Sequence, residues 1–147
     1  MKNNEKLTKK EIFAAFQPKQ KHRYIVYLNG FPPYIIKTID RPSGKYDAKL
    51  DKITWNSITL ELYDPVVPST AQTVLEWIEE GNARDMTIKL LSVAGDTIEK
   101  WFIKGCRLKE FDFGKLRWDS EEVVTIKLTL DIESAKLLKK FSVKTDT

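Results

Sequence analysis

The sequence predicts a mainly β chain: a two-sheet antiparallel β-barrel or sandwich with one flanking α-helix and a short N-terminal helix. Three observations carry this. From Glu122 to Ile132, the apolar residues Val124, Ile126, Leu128, Leu130 and Ile132 alternate with Val123, Thr125, Lys127, Thr129 and Asp131, the period of a half-buried strand with a polar second face. Met86 to Val93 and Thr97 to Lys104 flank Ala94-Gly95-Asp96, a strong hairpin signal. Ser69 to Glu80 is the one convincing longer helix, combining helical apolar spacing with a start signal and a stop signal at its two ends.

Taken in order, Thr8 and Glu11 have capping-box spacing, and Ile12, Phe13 and Phe16 share one side of a short helix that Pro18 stops. So short a helix is marginal alone, so its apolar face is expected to dock on this core or on a neighbouring chain. Tyr24 to Leu28 and Tyr34 to Ile39 are strand-like and read as a hairpin with a turn lengthened by Asn29-Gly30 and Pro32-Pro33. Asp40 to Lys52 is polar, contains Pro and Gly, and reads as a long projecting loop, the kind that tends to be functional. From Ile53 to Tyr63 the apolar phase slips once near Asn56-Ser57, which a bulge would explain.

Pro68-Ser69 opens the helix, where Ser69 and Gln72 have capping-box spacing and Gly81 is a natural stop. Val74, Leu75 and Ile78 fall on its apolar face, with Trp77 at the border. Gly105 to Phe113 reads as a further strand that Gly114 breaks. The whole is expected to be a single domain over 1–147: an N-terminal arm and helix over 1–21, a β-barrel over 22–133 with the helix at 69–80, and a basic C-terminal tail over 134–147.

Composition bounds the chemistry. With 147 residues, 41% hydrophobic and 31% charged, the chain has the balance of one packed domain. Apolar runs reach only a few residues, so no membrane span is expected. Lys and Arg outnumber Asp and Glu by 25 to 21, and the surplus sits at the two ends. That pattern fits solvated flexible ends or a polyanion-binding arm.

One cysteine, Cys106, allows no internal disulfide, and with the lone His22 it cannot make a zinc site. The six glycines are too widely spaced to form a phosphate-cradling loop. His22 reads as a solvated imidazole, and Cys106 as a small buried apolar group. Trp55, Trp77, Trp101 and Trp118 read as core and interface anchors. The expectation is a chain with no enzymatic activity, no cofactor and no metal.

Residues Trp101 to Ile132 carry a further pattern. A strand ending in Ile103-Lys104-Gly105, then Leu116-Arg117-Trp118-Asp119-Ser120, then the alternating Thr125 to Asp131, resembles the C-terminal half of the tail tube proteins of contractile-tailed bacteriophages. The upstream order is also similar: a short helix ending in Ala15-Phe16, a linker, the strand Arg23 to Leu28, a projecting loop and a helix with Leu75-Glu76-Trp77-Ile78. This chain departs from that family in being short between the helix and the Ala94-Gly95 hairpin, and in its basic tail.

The resemblance implies a structural protein of the virion tail, assembled in the host cytoplasm into hexameric rings stacked as a tube whose lumen conducts DNA at ejection. Implied partners are other copies of the chain, the tail sheath, baseplate and tail terminator proteins, and, in the lumen, the tape measure protein and transiently phage DNA. Because related folds build the tubes of contractile injection systems and of type VI secretion, fold does not fix the cargo. A tube initiator, a baseplate-tube junction protein or an injection-system tube subunit stays open, as does a basic nucleic-acid-binding β-barrel as a different class.

Within that picture, Phe13, Phe16, Arg41, Lys45, Tyr46, Lys49 and Leu50 are expected at subunit interfaces. Glu61, Thr125, Lys127, Thr129 and Asp131 are expected to face a neutral-to-acidic lumen, with Lys127 paired to a carboxylate such as Glu61. Six subunits giving four strands each at about 4.8 Å spacing would make a ring at least ~37 Å across, wide enough for a duplex.

Overall fold

The computed structural model describes residues 18–140. In chain order it holds β1 (Tyr24–Leu28), a short 3-10 helix (Pro33–Ile35), β2 (Ile36–Ile39), β3 (Gly44–Asp47), β4 (Lys52–Trp55) and β5 (Ile58–Tyr63). There follow α1 (Thr70–Glu80), β6 (Arg84–Leu91), β7 (Thr97–Asp112), β8 (Thr125–Asp131) and β9 (Ser134–Lys140). The helix expected over Thr8 to Phe16, with Phe13 and Phe16, lies outside the described residues.

The main ladder runs β1-β6-β7-β8-β5-β2, every pair antiparallel, with β9 also on β7. Strand β7 is 16 residues long and belongs to two sheets. Its first half pairs with β6 and β9, and its second half, from Arg107, pairs with β8. Sheet A is therefore β1-β6-β7-β9 and sheet B is β7-β8-β5-β2. The end strands β1 and β2 touch through the Tyr24 hydroxyl, which donates to the Lys37 carbonyl, and not through a ladder. The result is an open sandwich, with one α-helix among the described residues, rather than a closed barrel.

Alternation fills the space between the sheets. Ile58, Leu60 and Leu62 of β5, Met86, Ile88 and Leu90 of β6, and Ile126, Leu128 and Leu130 of β8 are all buried in one cluster with Val26, Leu28, Ile103 and Cys106. At about 1.5–3 kcal/mol per fully buried aliphatic side chain, these inward positions dominate the stability of the subunit.

Where the two sheets join, the chain needs a glycine. Gly105 has φ +70, and a Cβ there would lie 2.8 Å from the Glu133 Cβ. The bend is repeated on the neighbouring strand, where β8 passes into β9 and Glu133 N–H donates to the Lys104 carbonyl at 3.0 Å. Gly105 to Phe113 is thus the continuation of the Thr97 strand and not a separate one. The segment from Ser134 is likewise strand rather than tail as far as Lys140: Ala135 and Leu137 face Ile103 and Trp101 in register, while exposed Lys136 stands opposite Phe102.

Three other expectations change. Tyr24 to Leu28 and Tyr34 to Ile39 do not pair with each other, because buried Phe31 and the Pro32-Pro33 pair turn the chain through the 3-10 helix into the other sheet. The slip at Asn56-Ser57 is not a bulge but a break between β4, which pairs with β3, and β5, which pairs with β8 and β2. The last strand expected from Glu122 begins only at Thr125, and the residues from Phe113 to Val124 form a loop.

Helix α1 starts as its sequence predicts, with Ser69 Oγ accepting from Gln72 N–H at 3.3 Å, and ends at Gly81 in the left-handed conformation. A second cap comes from outside the helix, as Asp64 Oδ1 accepts from Thr70 N–H at 2.9 Å and Ala71 N–H at 3.3 Å. Its buried stripe is Thr70, Val74 and Trp77, at i, i+4 and i+7, whereas Leu75 and Ile78 are nearly half exposed. The stripe is rotated because the Trp77 ring packs edge-on to Phe31 at 6.0 Å and donates its indole N–H to the Asn82 carbonyl.

Candidate assembly surfaces

The outer face of sheet B gathers the polar positions of its strands. Strand pairing brings together Glu61, Thr125, Lys127, Thr129 and Asp131, the residues expected to face a lumen. Lys127 stands opposite Glu61 on one side and Asp112 on the other. Its expected ion pair with Glu61 does not form. The Glu61 carboxylate accepts instead from Thr125 Oγ1 at 2.7 Å and lies 3.9 Å from Lys37 Nζ, because both groups crowd the same end of β5. Asp131 accepts from Ser57 Oγ at 2.7 Å and meets Lys109 at 4.0 Å. Lys37, Arg107, Lys109 and Lys127 stand against Glu61, Glu110, Asp112 and Asp131, so the face is charge-balanced.

The expected loop from Asp40 to Lys52 is an ordered β-hairpin that continues to Trp55. Among the described residues its strands β3 and β4 pair only with each other, and every residue from 44 to 54 is exposed. Tyr46 pairs in register with Ile53, and these two are 62% and 50% exposed, with Leu50 at 71% beside them. Local bonds hold the turn: Asp47 Oδ1 accepts from Lys49 and Leu50 N–H, and the Tyr46 hydroxyl donates to Asp51 Oδ1 at 2.8 Å. A two-stranded hairpin is marginal in water, so one that projects its apolar residues is suited to a partner. Lys45, Tyr46, Lys49 and Leu50 all lie on it.

Arg41 does something else. Its guanidinium ties the base of the hairpin to Glu99, at 3.1 Å, and Glu99 is buried. Lys19 and the Trp101 indole N–H also donate to that carboxylate. Burial pushes the Glu99 carboxyl up, but the donors from Lys19, Trp101 and Arg41 together outweigh it and hold it below the ordinary value. Sequence spacing gave no sign of this node, whose members come from three separate segments.

Cys106 is buried, and burial with the nearby Asp85 carboxylate pushes its thiol up to about 12. It is a core group without nucleophilic character. Of the four tryptophans Trp77 is buried, Trp55 and Trp101 are half-buried, and Trp118 is fully exposed on the loop between β7 and β8.

The outer face of sheet A is unlike that of sheet B. Lys89 and Lys100 face each other directly across β6 and β7, and Lys136 follows on β9 opposite Phe102. Exposed Tyr27 and Leu138 lie among them, with Lys89 Nζ 5.2 Å from the Tyr27 ring centre. The register could have been counted from the Ala94-Gly95 turn, which puts residues 89 and 100 opposite each other.

No protein-family model matches the sequence, and no curated protein sequence matches it. Solved structures do match. A chain of the extracellular contractile injection system PVC sheath–tube complex in the extended state superposes at TM-score 0.66 with 15% identity, covering 90% of this chain and 99% of that one. A chain of the anti-feeding prophage tube-terminating cap gives 0.63 at 16% identity, covering 83% and 91%. A chain of the anti-feeding prophage baseplate gives 0.57 at 18% identity, covering 84% and 97%. The open sandwich with its flanking helix is thus the fold of the tube and cap proteins of contractile injection systems.

Proposed function

We propose that the chain is a structural subunit, without enzymatic activity, of the tube of a contractile tail, and that six copies close into rings that stack. The observation that carries this reading is the superposition with a sheath–tube complex chain over nearly the whole length of both chains. The exposed hairpin with Lys45, Tyr46, Lys49 and Leu50 supports it, as a projection suited to a neighbouring subunit. The charge-balanced face of Glu61, Thr125, Lys127, Thr129 and Asp131 is the proposed bore lining, because a passing phosphate backbone is not retained by a face without excess cations. In a phage tail the tube would carry DNA around a tape measure protein, inside a sheath, between baseplate and terminator, in a particle assembled in the host cytoplasm.

A second reading is an initiator or cap at one end of the tube, favoured by the matches to chains of a baseplate and of a terminating cap. Electron microscopy of the purified protein tests both. Open-ended tubes support the tube subunit, and six-fold rings that do not stack support the end piece. A monomer that retards a duplex oligonucleotide overturns both in favour of a nucleic-acid-binding barrel.

A further inference from the structure

The sandwich is open between its end strands β1 and β2, and a cleft of about 970 Å³ enters there. Its floor is the core itself. Ile88 and Leu90, inward positions of β6, line it together with Ile39 of β2. Its mouth is cationic, since Lys19, Lys21, Lys37 and Arg41 are exposed around it and Asp40 is the acid among the described residues that line it. Lys19 and Arg41 are engaged by Glu99, whereas Lys21 stands outside the ion pairs formed by the described residues. An aliphatic floor reached between two strand edges calls for a cover, because such edges otherwise template pairing with another chain.

The chain itself delivers a segment to this mouth. Lys19 lines the cleft and is tied there by Glu99. Phe16 stands three positions before it, so the two Cα atoms lie within about 11 Å of each other even at full extension. Residues 11–17 read Glu-Ile-Phe-Ala-Ala-Phe-Gln, with Glu11 their only charge and with Ile12, Phe13 and Phe16 on one side at helical spacing. The lysines of the N-terminal segment, at positions 2, 6, 9 and 10, all stand farther back along the chain. The stretch within reach of a cationic mouth and an apolar floor is therefore apolar and carries one acid.

We infer that the cleft between β1 and β2 seats the Ile12–Phe16 segment of the same chain, with Phe13 and Phe16 against Ile39, Ile88 and Leu90 and with Glu11 toward Lys21 and Lys37. A tether as short as Gln17-Pro18 sets a high effective concentration, which favours the chain's own segment over that of a second copy. Seated there, the two rings add apolar burial to the core and cover the facing edges of β1 and β2. The inference concerns the single subunit and goes beyond the tube reading without depending on it.

The test is a disulfide trap in the full chain. A14C/T38C keeps Ile12, Phe13 and Phe16 in place and sets one thiol on the segment and one at exposed Thr38 in the cleft lining, while the native Cys106 is buried and takes no part. On mild oxidation it should close within one chain at least tenfold faster than A14C/E110C, whose second thiol lies on β7, three strands from β2 in the same sheet. Adding F13S/F16S to A14C/T38C should slow the closure at least tenfold, and F13S/F16S alone should lower the thermal midpoint. Should F13S/F16S misfold, Phe16→Ala replaces it, with a slowing of at least threefold expected. Equal rates for the two cysteine pairs, or a rate untouched by loss of the phenylalanines, would overturn the inference. A disulfide formed only between chains, at a rate rising with protein concentration, would overturn it in favour of a second copy's segment. The closure within one chain is expected of the monomer whether or not tubes form, so this inference and the tube reading fail separately.

Discussion

Glu61 and Lys127 are cross-strand neighbours on β5 and β8, yet the Glu61 carboxylate is taken by Thr125 at 2.7 Å and lies 3.9 Å from Lys37, leaving Lys127 outside every ion pair formed by the described residues. Lys127→Ala should therefore change subunit stability by less than about 0.5 kcal/mol. Glu61→Ala should cost about 1 kcal/mol, since it removes a hydrogen bond to a charged group on a partly exposed face. Urea unfolding of the two variants checks this, and a larger loss for Lys127→Ala would show that the lysine is paired after all.

Trp77 and Leu75 share helix α1 but not its packing. Trp77→Ala should cost about 3–5 kcal/mol, because the buried ring, its contact with Phe31 and the indole bond to Asn82 go together. Leu75→Ala, at a position 47% exposed, should cost less than about 1 kcal/mol. Thermal or urea denaturation of the pair reads the difference.

The Glu99 node predicts a dependence on pH. Its folded carboxyl titrates below the unfolded value of 4.5, so its contribution is complete above that range and is lost as the pH falls through the folded value. The thermal midpoint should drop on acidification below 4.5, and the drop should be shallower in Glu99→Gln. Parallel curves for the two proteins would show that other carboxylates carry the acid sensitivity.

The Cys106 thiol should be inert in the folded subunit. With its pKa at about 12 and its sulfur buried, it should react with an aromatic disulfide reagent only at the rate of unfolding, and at once in denaturant. Rapid reaction under native conditions would mean that sheet A opens at Gly105.

Replacing the hairpin, residues 44–55, by a tight turn should leave the thermal midpoint of the subunit unchanged and abolish tube formation, since β3 and β4 pair with no other strand among the described residues. Normal tubes from the shortened protein would reduce the hairpin to an ornament of the surface.

Much of this architecture is legible in the sequence because it rests on local chemistry. The caps of α1 at Ser69 and Gly81, the Ala94-Gly95 hairpin and the alternation of β8 are set by residues a few positions apart. What was hidden depends on distant partners. Strand β9 alternates too briefly among lysines to stand out from a solvated tail until Ile103 and Trp101 are placed opposite Ala135 and Leu137. The Glu99 node joins residues 80 and 58 positions apart, and no spacing rule finds it. The rotation of the helix stripe toward Trp77 follows from Phe31, which sits on the connection between the sheets. For the surfaces, the polar face of β8 could be read directly, whereas the loss of the Lys127 pair turns on Thr125 lying one position beyond that pairing on the same face.

Strand β7 has a thermodynamic consequence. Because one unbroken backbone supplies a strand to each sheet, neither sheet can open without exposing a row of amides in the other, so the sandwich should exchange its slow protons with a single common free energy. The β3–β4 hairpin, tied to that unit at its base by the Arg41 guanidinium, should exchange far faster. A tube made of such subunits would combine a wall that melts as one piece with a projecting clip that orders and disorders on its own timescale.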